Sequence, residues 1–207
     1  MCGLIVSTGN LPSSFQRNLA LDTIKNRGPD MSKELYLKDD KIWFGFQRLS
    51  INDLTINGMQ PMNYKKRYTI VFNGEIYNFK KIKKILIKLG HIFKSQTDTE
   101  VLLASYDEWG EEMLSKIEGM FAFVIWDNLE KKFFIARDPL GQKPIFYYFK
   151  NNKFIISSSP SAIRKMLNEA IDLNKSALSY YLSMGYIPSK KCIWKDINTL
   201  DAGKSLI

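Results

Sequence analysis

Several apolar runs in this sequence are joined by connections too short for anything but an antiparallel hairpin. A few polar residues separate the paired runs: 121–126 from 133–136, and 145–149 from 154–158. A parallel pair would need a crossover of a dozen residues or more. Each pair is therefore predicted to form two neighbouring antiparallel strands, which restricts the chain to folds that contain antiparallel sheet.

Helical patterns lie among further strand-like runs. The other runs rich in β-branched and aromatic residues are 3–7, 42–46 and 68–72. Apolar residues at 82, 85, 86 and 89, followed by Gly90, predict an amphipathic helix and its end. Residues 97–100, Thr-Asp-Thr-Glu, form a capping box that opens a second helix. Additional helices are predicted at 113–119, 160–167 and 175–184. Antiparallel strands with flanking helices predict an α+β layered domain.

The composition fits one soluble globular domain with its own core. The chain has 207 residues, of which 45% are hydrophobic. Its formal charge of +9 comes from scattered lysines, not from a basic cluster with stacking aromatics, so nucleic-acid binding is not expected. The apolar start is too short for a signal peptide, and no run approaches the roughly 20 apolar residues of a membrane span. With two cysteines and no disulfide framework, a cytoplasmic location is expected.

A single histidine, His91, limits the catalytic chemistry available. It follows a predicted helix end, and we interpret it as a loop or surface residue, not as a member of a Ser-His or Cys-His pair. No spacing of histidine, cysteine and carboxylate residues predicts a metal site. Residues 203–205, Gly-Lys-Ser, resemble half of a phosphate-binding loop, but Asn198 stands where that loop needs glycine.

Cys2 offers nucleophilic chemistry that needs no histidine. Removal of the initiator methionine is favoured when the second residue is small, and it leaves a thiol and a free α-amine on one residue. Their reference pKa values, about 8.5 and about 7.7–8.0, allow the amine to act as the base near neutral pH. Taken alone, Cys2 is better explained as a small buried residue that opens a strand.

An ordered set of motifs extends over essentially the whole chain. They are Met-Cys-Gly-Leu-Ile at 1–5, Arg-Gly-Pro-Asp at 27–30, Arg-Leu-Ser-Ile-Asn-Asp-Leu at 48–54, Gln-Pro-Met at 60–62, Asn-Gly-Glu-Ile-Tyr-Asn at 73–78, Thr-Asp-Thr-Glu at 97–100, Gly-Met-Phe-Ala-Phe at 119–123 and Arg-Asp-Pro-Leu-Gly at 137–141. In this order they closely resemble the N-terminal glutaminase domain of glutamine-dependent asparagine synthetases, a class II glutamine amidotransferase domain. Phe72 precedes Asn73 where hexosamine- and phosphoribosylamine-forming amidotransferases have histidine, which favours the asparagine-synthetase branch.

This resemblance implies both a fold and a reaction. The fold is the N-terminal-nucleophile hydrolase fold, a four-layer αββα sandwich of two antiparallel sheets between helices. The reaction is attack of the Cys2 thiolate on the side-chain amide of glutamine, which releases ammonia and leaves a thioester that water hydrolyses to glutamate. In the family, an ATP-dependent synthetase domain uses the ammonia to amidate aspartate to asparagine.

The resemblance also assigns roles to single residues. Cys2 is implied to be catalytic together with Asn73 and Gly74, which match the oxyanion hole. From the residues alone, Asn-Gly is typical of a hairpin turn. Here, however, Asn-Gly follows the strand at 68–72 and precedes a helix, so no partner strand is expected to follow it as a hairpin would require. Residues 27–30 are interpreted as an architectural turn.

Glutamine-binding roles follow from the same motifs. Arg48 matches the residue that binds the substrate α-carboxylate, a task suited to a guanidinium fork. Glu75 and Asp98 are implied to face the α-ammonium group, although an acid at position 98 is also favoured by the helix dipole. The remaining substrate-binding positions, together with Asn73 and Gly74 of the oxyanion hole, are Leu49, Ser50 and Ile51.

Residues 1–170 are predicted to form the amidotransferase domain and 171–207 a C-terminal extension or linker, since the sequence changes character near Glu169. The Ser-Gly-Gly-x-Asp-Ser loop of the synthetase is not in these residues, so ATP and Mg²⁺ are expected only in a synthetase domain or subunit, and no cofactor here. The expected partners are glutamine, that synthetase, and a second copy in a homodimer, but no nucleic acid or membrane. Two alternatives stay open: a synthetase that amidates another carboxylate, and a non-catalytic glutamine-binding module if Met1 is retained.

Overall fold

Two antiparallel sheets dominate the computed structural model, which describes residues 1–167, 170–188 and 191–207. The strands are β1 (Gly3–Thr8), β2 (Met31–Leu37), β3 (Ile42–Arg48), β4 (Met62–Tyr64), β5 (Tyr68–Ile76), β6 (Gly119–Asp127), β7 (Lys132–Arg137), β8 (Phe146–Lys150), β9 (Lys153–Ser157), β10 (Ile197–Thr199) and β11 (Ser205–Leu206). The α-helices are α1 (Ser14–Ile24), α2 (Phe79–Lys88), α3 (Asp98–Trp109), α4 (Pro160–Met166) and α5 (Lys175–Met184). Short 3-10 helices cover Lys25–Arg27, Ile56–Gly58 and Gly110–Ser115.

The strand order places the N-terminal strand β1 in the first sheet and the two C-terminal strands in different sheets. The first sheet runs β10-β8-β9-β1-β3-β2 and the second runs β11-β7-β6-β5-β4. Both hairpins predicted from short connections are present, with Trp126 opposite Phe133 and Phe149 opposite Phe154. The predicted antiparallel pairing of these strands is therefore confirmed.

Three apolar layers hold the sheets and helices together. Between the sheets, Val6 and Phe44 of the first pack with Val71 and Val124 of the second. Outside the second sheet, α2 and α3 cover the side chains that β5 and β6 point the other way. Outside the first sheet, α1 and α4 do the same. The result is helix, sheet, sheet, helix, and it confirms the predicted α+β αββα sandwich.

Some elements depart from the sequence-based expectations. The run 68–72 continues to Ile76, so Asn73 and Gly74 lie inside β5, opposite Ala122 and Phe121 of β6. As expected, Asn-Gly is not a hairpin turn, because the element that follows β5 is α2 and not a partner strand. The strand extends beyond residue 72 because pairing with β6 outweighs the weak strand propensity of these two residues. The helix expected at 113–119 is a 3-10 helix at Gly110–Ser115. Elements with no prediction were α1, β2, β4, β10 and β11.

His91 is in a loop, as expected, but it is not at the surface. The chain turns back after α2, where the His91 amide donates to the Leu86 carbonyl. The buried imidazole has Nδ1 2.8 Å from Tyr64 Oη and Nε2 2.8 Å from Glu108 Oε2. Two polar partners compensate for its burial, which the sequence around a helix-ending glycine does not reveal.

The C-terminal residues contribute strands to both sheets. Strand β10 pairs with β8, and β11 pairs with β7. The boundary between 170 and 171 stays a prediction, and Glu169, near which the sequence changes character, lies outside the described residues. Among the described residues, the helices are each too short or too polar to cross a membrane.

The start of α3 is fixed by one buried carboxylate. Thr97 Oγ1 accepts from the Glu100 amide at 3.2 Å, which is one half of the predicted capping box. The Glu100 carboxylate does not return to the Thr97 amide. It accepts instead from the amides of Lys94 and Ser95 and from Ser95 Oγ, at 2.7–3.1 Å. The carboxylate thus ties the preceding loop to the first turn of α3.

We expect Glu100→Ala to lower the free energy of unfolding by about 2–4 kcal/mol, because it leaves the amides of Lys94 and of the buried Ser95 without their acceptor. Glu100→Gln keeps one acceptor oxygen and should lose clearly less. Urea unfolding followed by far-UV circular dichroism measures both. Equal losses in the two variants would contradict the proposed role of the carboxylate oxygens.

Candidate active site

A cavity of about 80 Å³ lies where the start of β1, the end of β3, the middle of β5 and the first turn of α3 meet. Of the nine residues to which the resemblance gives a role, eight line it: Cys2, Arg48, Leu49, Ile51, Asn73, Gly74, Glu75 and Asp98. Ser50 is the exception, since it is absent from the lining. Its amide donates to Asp30 Oδ2 at 2.7 Å, so its place is in the loop that frames the cavity.

Cys2 lies at the first residue before β1, half-buried, with its sulfur against the loop after β3. Sγ accepts from the Leu49 amide at 3.4 Å and lies 3.6 Å from the Leu49 carbonyl oxygen. Burial raises the pKa of the thiol, while the Leu49 amide and the Arg48 guanidinium oppose that shift. The backbone nitrogen of Cys2 is bonded to Met1 in this structure, and Met1 itself lines the cavity.

The turn at residues 27–30 holds Cys2 and the β3 loop in place. Arg27 Nε donates to the Cys2 carbonyl at 3.2 Å, and Asp30 binds the backbone at both Arg48 and Ser50. A Cβ on Gly28 would lie 2.2 Å from the Gln47 carbonyl oxygen, so only glycine permits this close approach to β3. These contacts are those of an architectural turn.

Arg48 is the last residue of β3, and its buried guanidinium points into its own following loop. It donates to the carbonyl oxygens of Thr55, at 2.7 Å, and Asp53. A Cβ on Gly58 would lie 2.4 Å from Nη2, so this glycine leaves room for the fork. Arg48 therefore shapes the cavity wall as well as bringing a positive charge to it.

Asn73 is fully buried, and its side-chain amide lacks a protein partner. Among the described residues, neither Nδ2 nor Oδ1 has a hydrogen-bond partner, although Asn73 lines the cavity. An unsatisfied buried polar group costs about 1–3 kcal/mol, so such a group in a cavity indicates a place for a bound polar atom. The neighbouring Gly74 has no room for a side chain, since its Cβ would lie 2.2 Å from the Met120 carbonyl oxygen.

Asp98 brings a buried carboxylate to the opposite wall. Oδ2 accepts from the Ile76 amide at 3.0 Å. Burial raises the pKa of Asp98 to about 6, against the opposing effect of hydrogen bonds from Ile76, Thr99 and the Asn52 side chain. The carboxylate is thus poised for an added cation, which would stabilise its charged form. Glu75 also lines the cavity and remains half-exposed.

Besides Thr97, a predicted helix cap, five polar residues of the cavity wall had no predicted role: Asn52, Asp53, Gln60, Thr99 and Lys143. Gln60 joins the second sheet to α3, because Oε1 accepts from the Phe72 amide at 2.6 Å and Nε2 donates to Thr99 Oγ1 at 3.2 Å. The signal for Asn52 and Gln60 was their position within the motifs 48–54 and 60–62. Lys143 lies just beyond the motif 137–141, and a lone lysine in a loop is ordinarily solvated.

The whole chain, residues 1–207, matches the family described as the glutamine amidotransferase domain. The chain belongs to the glutamine amidotransferase family. Among curated relatives, this amidotransferase domain is 39% identical over 181 residues to asparagine synthetase (glutamine-hydrolyzing) 1 of Bacillus subtilis, covering 87% of the chain and 28% of the relative. It is 35% identical over 229 residues to putative asparagine synthetase (glutamine-hydrolyzing) 2 of Methanocaldococcus jannaschii, covering 100% of the chain and 44% of the relative.

Solved structures confirm the fold of the amidotransferase domain. Glutamine phosphoribosylpyrophosphate amidotransferase from B. subtilis superposes with a TM-score of 0.66 at 19% identity, over 80% of this chain and 43% of that one. The allosteric regulatory enzyme of purine biosynthesis gives a TM-score of 0.65, also at 19% identity and with the same coverage. The predicted N-terminal-nucleophile architecture is therefore confirmed. The domain spans less than half the length of these relatives and neighbours.

The raised pKa of Asp98 predicts a pH-dependent effect on stability. The folded-state pKa of about 6 lies above the ordinary value of 3.8. The contribution of the protonated carboxyl to the free energy of unfolding is therefore fully present below pH 4 and is lost as the pH rises through 6. Asp98→Asn stays neutral and should raise the free energy of unfolding at pH 8 by about 2–3 kcal/mol. Near pH 4 the variant and the wild type should converge.

Chemical unfolding at the two pH values tests this expectation. Asp53→Asn is the matched control, because its hydrogen bond from Thr55 lowers the pKa of Asp53 and its substitution should lower stability at pH 8. An Asp98→Asn variant less stable than the wild type at pH 8 would contradict the assigned desolvation.

Proposed function

We propose that the chain, once Met1 has been removed, hydrolyses glutamine to glutamate and ammonia at Cys2. The observation that carries the proposal is the pairing, in one cavity, of the Cys2 sulfur with the unpartnered amide of Asn73. A nucleophile and a free hydrogen-bond donor that share a cavity are the two parts needed for acyl transfer. The names of the curated relatives, glutamine-hydrolyzing asparagine synthetases, support glutamine as the acyl donor.

The charges of the cavity suit an amino-acid substrate. Arg48 supplies a cation and Asp98 an anion to the same cavity, which complements the α-carboxylate and α-ammonium groups of glutamine. A bound ammonium would favour the ionised form of Asp98 and lower the pKa of this carboxylate from its raised value. Glu75, Leu49 and Ile51 complete the binding surface in this proposal, and Ser50 holds their loop through Asp30.

The reaction needs only groups at the cavity. The α-amine of Cys2 accepts the thiol proton as Sγ attacks the amide carbon of glutamine. The resulting oxyanion is stabilised by Asn73 Nδ2–H and the Gly74 amide. Collapse breaks the C–N bond, the amine returns its proton to the leaving nitrogen, and ammonia departs. Water then attacks the thioester, which releases glutamate and restores the thiol.

We further infer that the ammonia serves an ATP-dependent synthetase that amidates aspartate to asparagine, so that the whole protein is a ligase. ATP and Mg²⁺ would bind in that synthetase, on the same chain or on a separate subunit, and glutamine alone in this domain. The chain spans 28% and 44% of two relatives that carry the synthetase name, which supports a further domain as the partner.

A free catalytic thiol suits the reducing cytoplasm, where we place the protein, as a monomer or a homodimer.

One observation favours a second candidate. Met1 lines the cavity and receives a hydrogen bond from Lys143, so a chain that keeps Met1 has part of the site filled and no free α-amine on Cys2. Such a chain would be a non-catalytic glutamine-binding module. The intact mass of the purified protein distinguishes the two forms.

We expect Cys2→Ala to abolish ammonia release from glutamine while the far-UV circular dichroism spectrum stays unchanged, since only the nucleophile is lost. The matched control is Cys192→Ala, which removes the other cysteine, a buried residue outside the cavity. A diazoketone analogue of glutamine should add once to the wild type and to Cys192→Ala, and not to Cys2→Ala, as read by intact mass. Full glutaminase activity in processed Cys2→Ala would refute the proposal.

Arg48→Lys should raise the KM for glutamine about tenfold, equivalent to about 1.4 kcal/mol of binding, because a point charge replaces a fork that also holds its loop. Arg67→Lys is the control, because Arg67 makes a bidentate pair with Asp127 outside the cavity. Steady-state assays of both variants give the comparison. A wild-type KM in Arg48→Lys would remove Arg48 from glutamine binding.

A further inference from the structure

Lys143 is a buried cation whose place the proposed reaction leaves unexplained. The residue is 5% exposed and lines the cavity in the loop before β8. Among the described residues, the one hydrogen-bond partner of its ammonium is Met1 Sδ, at 2.8 Å, and no carboxylate lies within ion-pair distance. A thioether is a weak acceptor for a buried charge. The lysine is therefore held in place by something other than its own charge pairing.

The backbone around Lys143 supplies that hold. The Lys143 amide donates to Asp138 Oδ2 at 2.9 Å, and its carbonyl accepts from Arg137 Nε at 2.8 Å. Both partners belong to the end of β7, so the loop is anchored to the second sheet. Removal of Met1 takes away the thioether and leaves the ammonium in the cavity that the new chain end, Cys2, also lines.

We propose that Lys143 is a positioning residue for the N-terminal nucleophile, whose buried positive charge keeps the freed α-amine of Cys2 in the neutral form that can accept a proton. This inference rests on the proposed function, since it concerns the base of that reaction. Arg27 adds a second cation, because its Nε donates to the Cys2 carbonyl at 3.2 Å. Two cations beside an amine disfavour a third charge at that position.

Other charged groups face the same place from each neighbouring element, and they set the balance. The cations are Arg27 after α1, Arg48 at the end of β3, and Lys143; the anions are Asp30 before β2, Glu75 of β5, and Asp98 of α3. In the unprocessed chain the pKa of the terminal amine, on Met1, is already lowered by burial and by Arg27 and Lys143, against Cys2 and Asp30. Burial lowers the pKa of Lys143 itself, while Asp138 and Glu75 oppose that shift.

The test removes the charge of Lys143 and reads the amine directly. Wild type, Lys143→Met and Lys143→Arg are expressed with ¹³C-cysteine and treated with methionine aminopeptidase. Intact mass confirms that Met1 has been removed. Of the two cysteines, Cys2 alone carries a terminal amine, and its ¹³Cα and ¹³Cβ shifts against pH report the apparent pKa values of the amine–thiol pair. We expect both values to rise by about half to one unit in Lys143→Met, and to stay near wild type in Lys143→Arg.

Glutaminase assays give the second readout. The acid limb of the kcat/KM profile should move to higher pH by the same amount in Lys143→Met, with recovery in Lys143→Arg. Lys84→Met, which removes an exposed charge of α2, should leave the profile unchanged. Titration curves and acid limbs of Lys143→Met that coincide with wild type overturn the proposal.

The role of Lys143 and the glutaminase activity can be refuted separately. Because the titration needs no turnover, a shifted amine in an inactive protein would support the role of Lys143 and count against the glutaminase assignment. An active wild type with no shift of the amine pKa in Lys143→Met would support the glutaminase assignment and refute the role of Lys143. Thermal unfolding of each variant confirms that the protein measured is folded.

Discussion

The register between β1 and β3 sets the geometry of the whole site. Gly3 pairs with Gln47, so the residues just outside that pair, Cys2 and Arg48, are brought side by side at one edge of the sheet. A slip of one residue would move every side chain of β1 to the other face and carry Cys2 away from the Leu49 loop. The register is fixed because Leu4 and Val6 are buried between the sheets while Ile5 is buried beneath α1 and α4.

The second sheet contributes the groups that a nucleophile alone cannot provide. Stacking the two sheets brings the middle of β5, with Asn73, against the start of β1. The first turn of α3 adds Asp98, and its position depends on Glu100 and on the Gln60 bridge to Phe72. The site therefore exists only when both sheets and α3 are assembled, because no single strand or helix carries all of its residues.

The sequence predicted the parts of the fold that depend on local chemistry. Short polar connections defined two hairpins, and 3.6-residue periodicity located α2. Elements held by long-range contacts were missed. Strands β10 and β11 are three and two residues long, and they form because they pair with β8 and β7, respectively. In the same way, β5 extends through Asn73 and Gly74 because β6 runs alongside.

The site was predictable to the extent that its residues sit in motifs. Eight of nine expected residues line one cavity, yet periodicity and spacing alone would not have gathered them, since they come from four separate segments. Lys143 was missed for a physical reason. Whether a lysine is solvated or buried depends on which residues surround it in space, and here these come from distant segments such as Met1, 142 positions away in sequence.

Arg137 connects the C-terminal strands to the loop that carries Lys143. Its guanidinium donates to the carbonyls of Leu200, Gly141 and Lys143 at 2.6–2.8 Å, and its amide donates to the Lys204 carbonyl. A displacement of residues 200–204 would therefore pull on the same side chain that fixes the lysine beside Cys2. The fold thus contains a short mechanical linkage from its last strand to its nucleophile. A domain or subunit bound to that strand could change the reactivity of Cys2 through this linkage without touching the cavity.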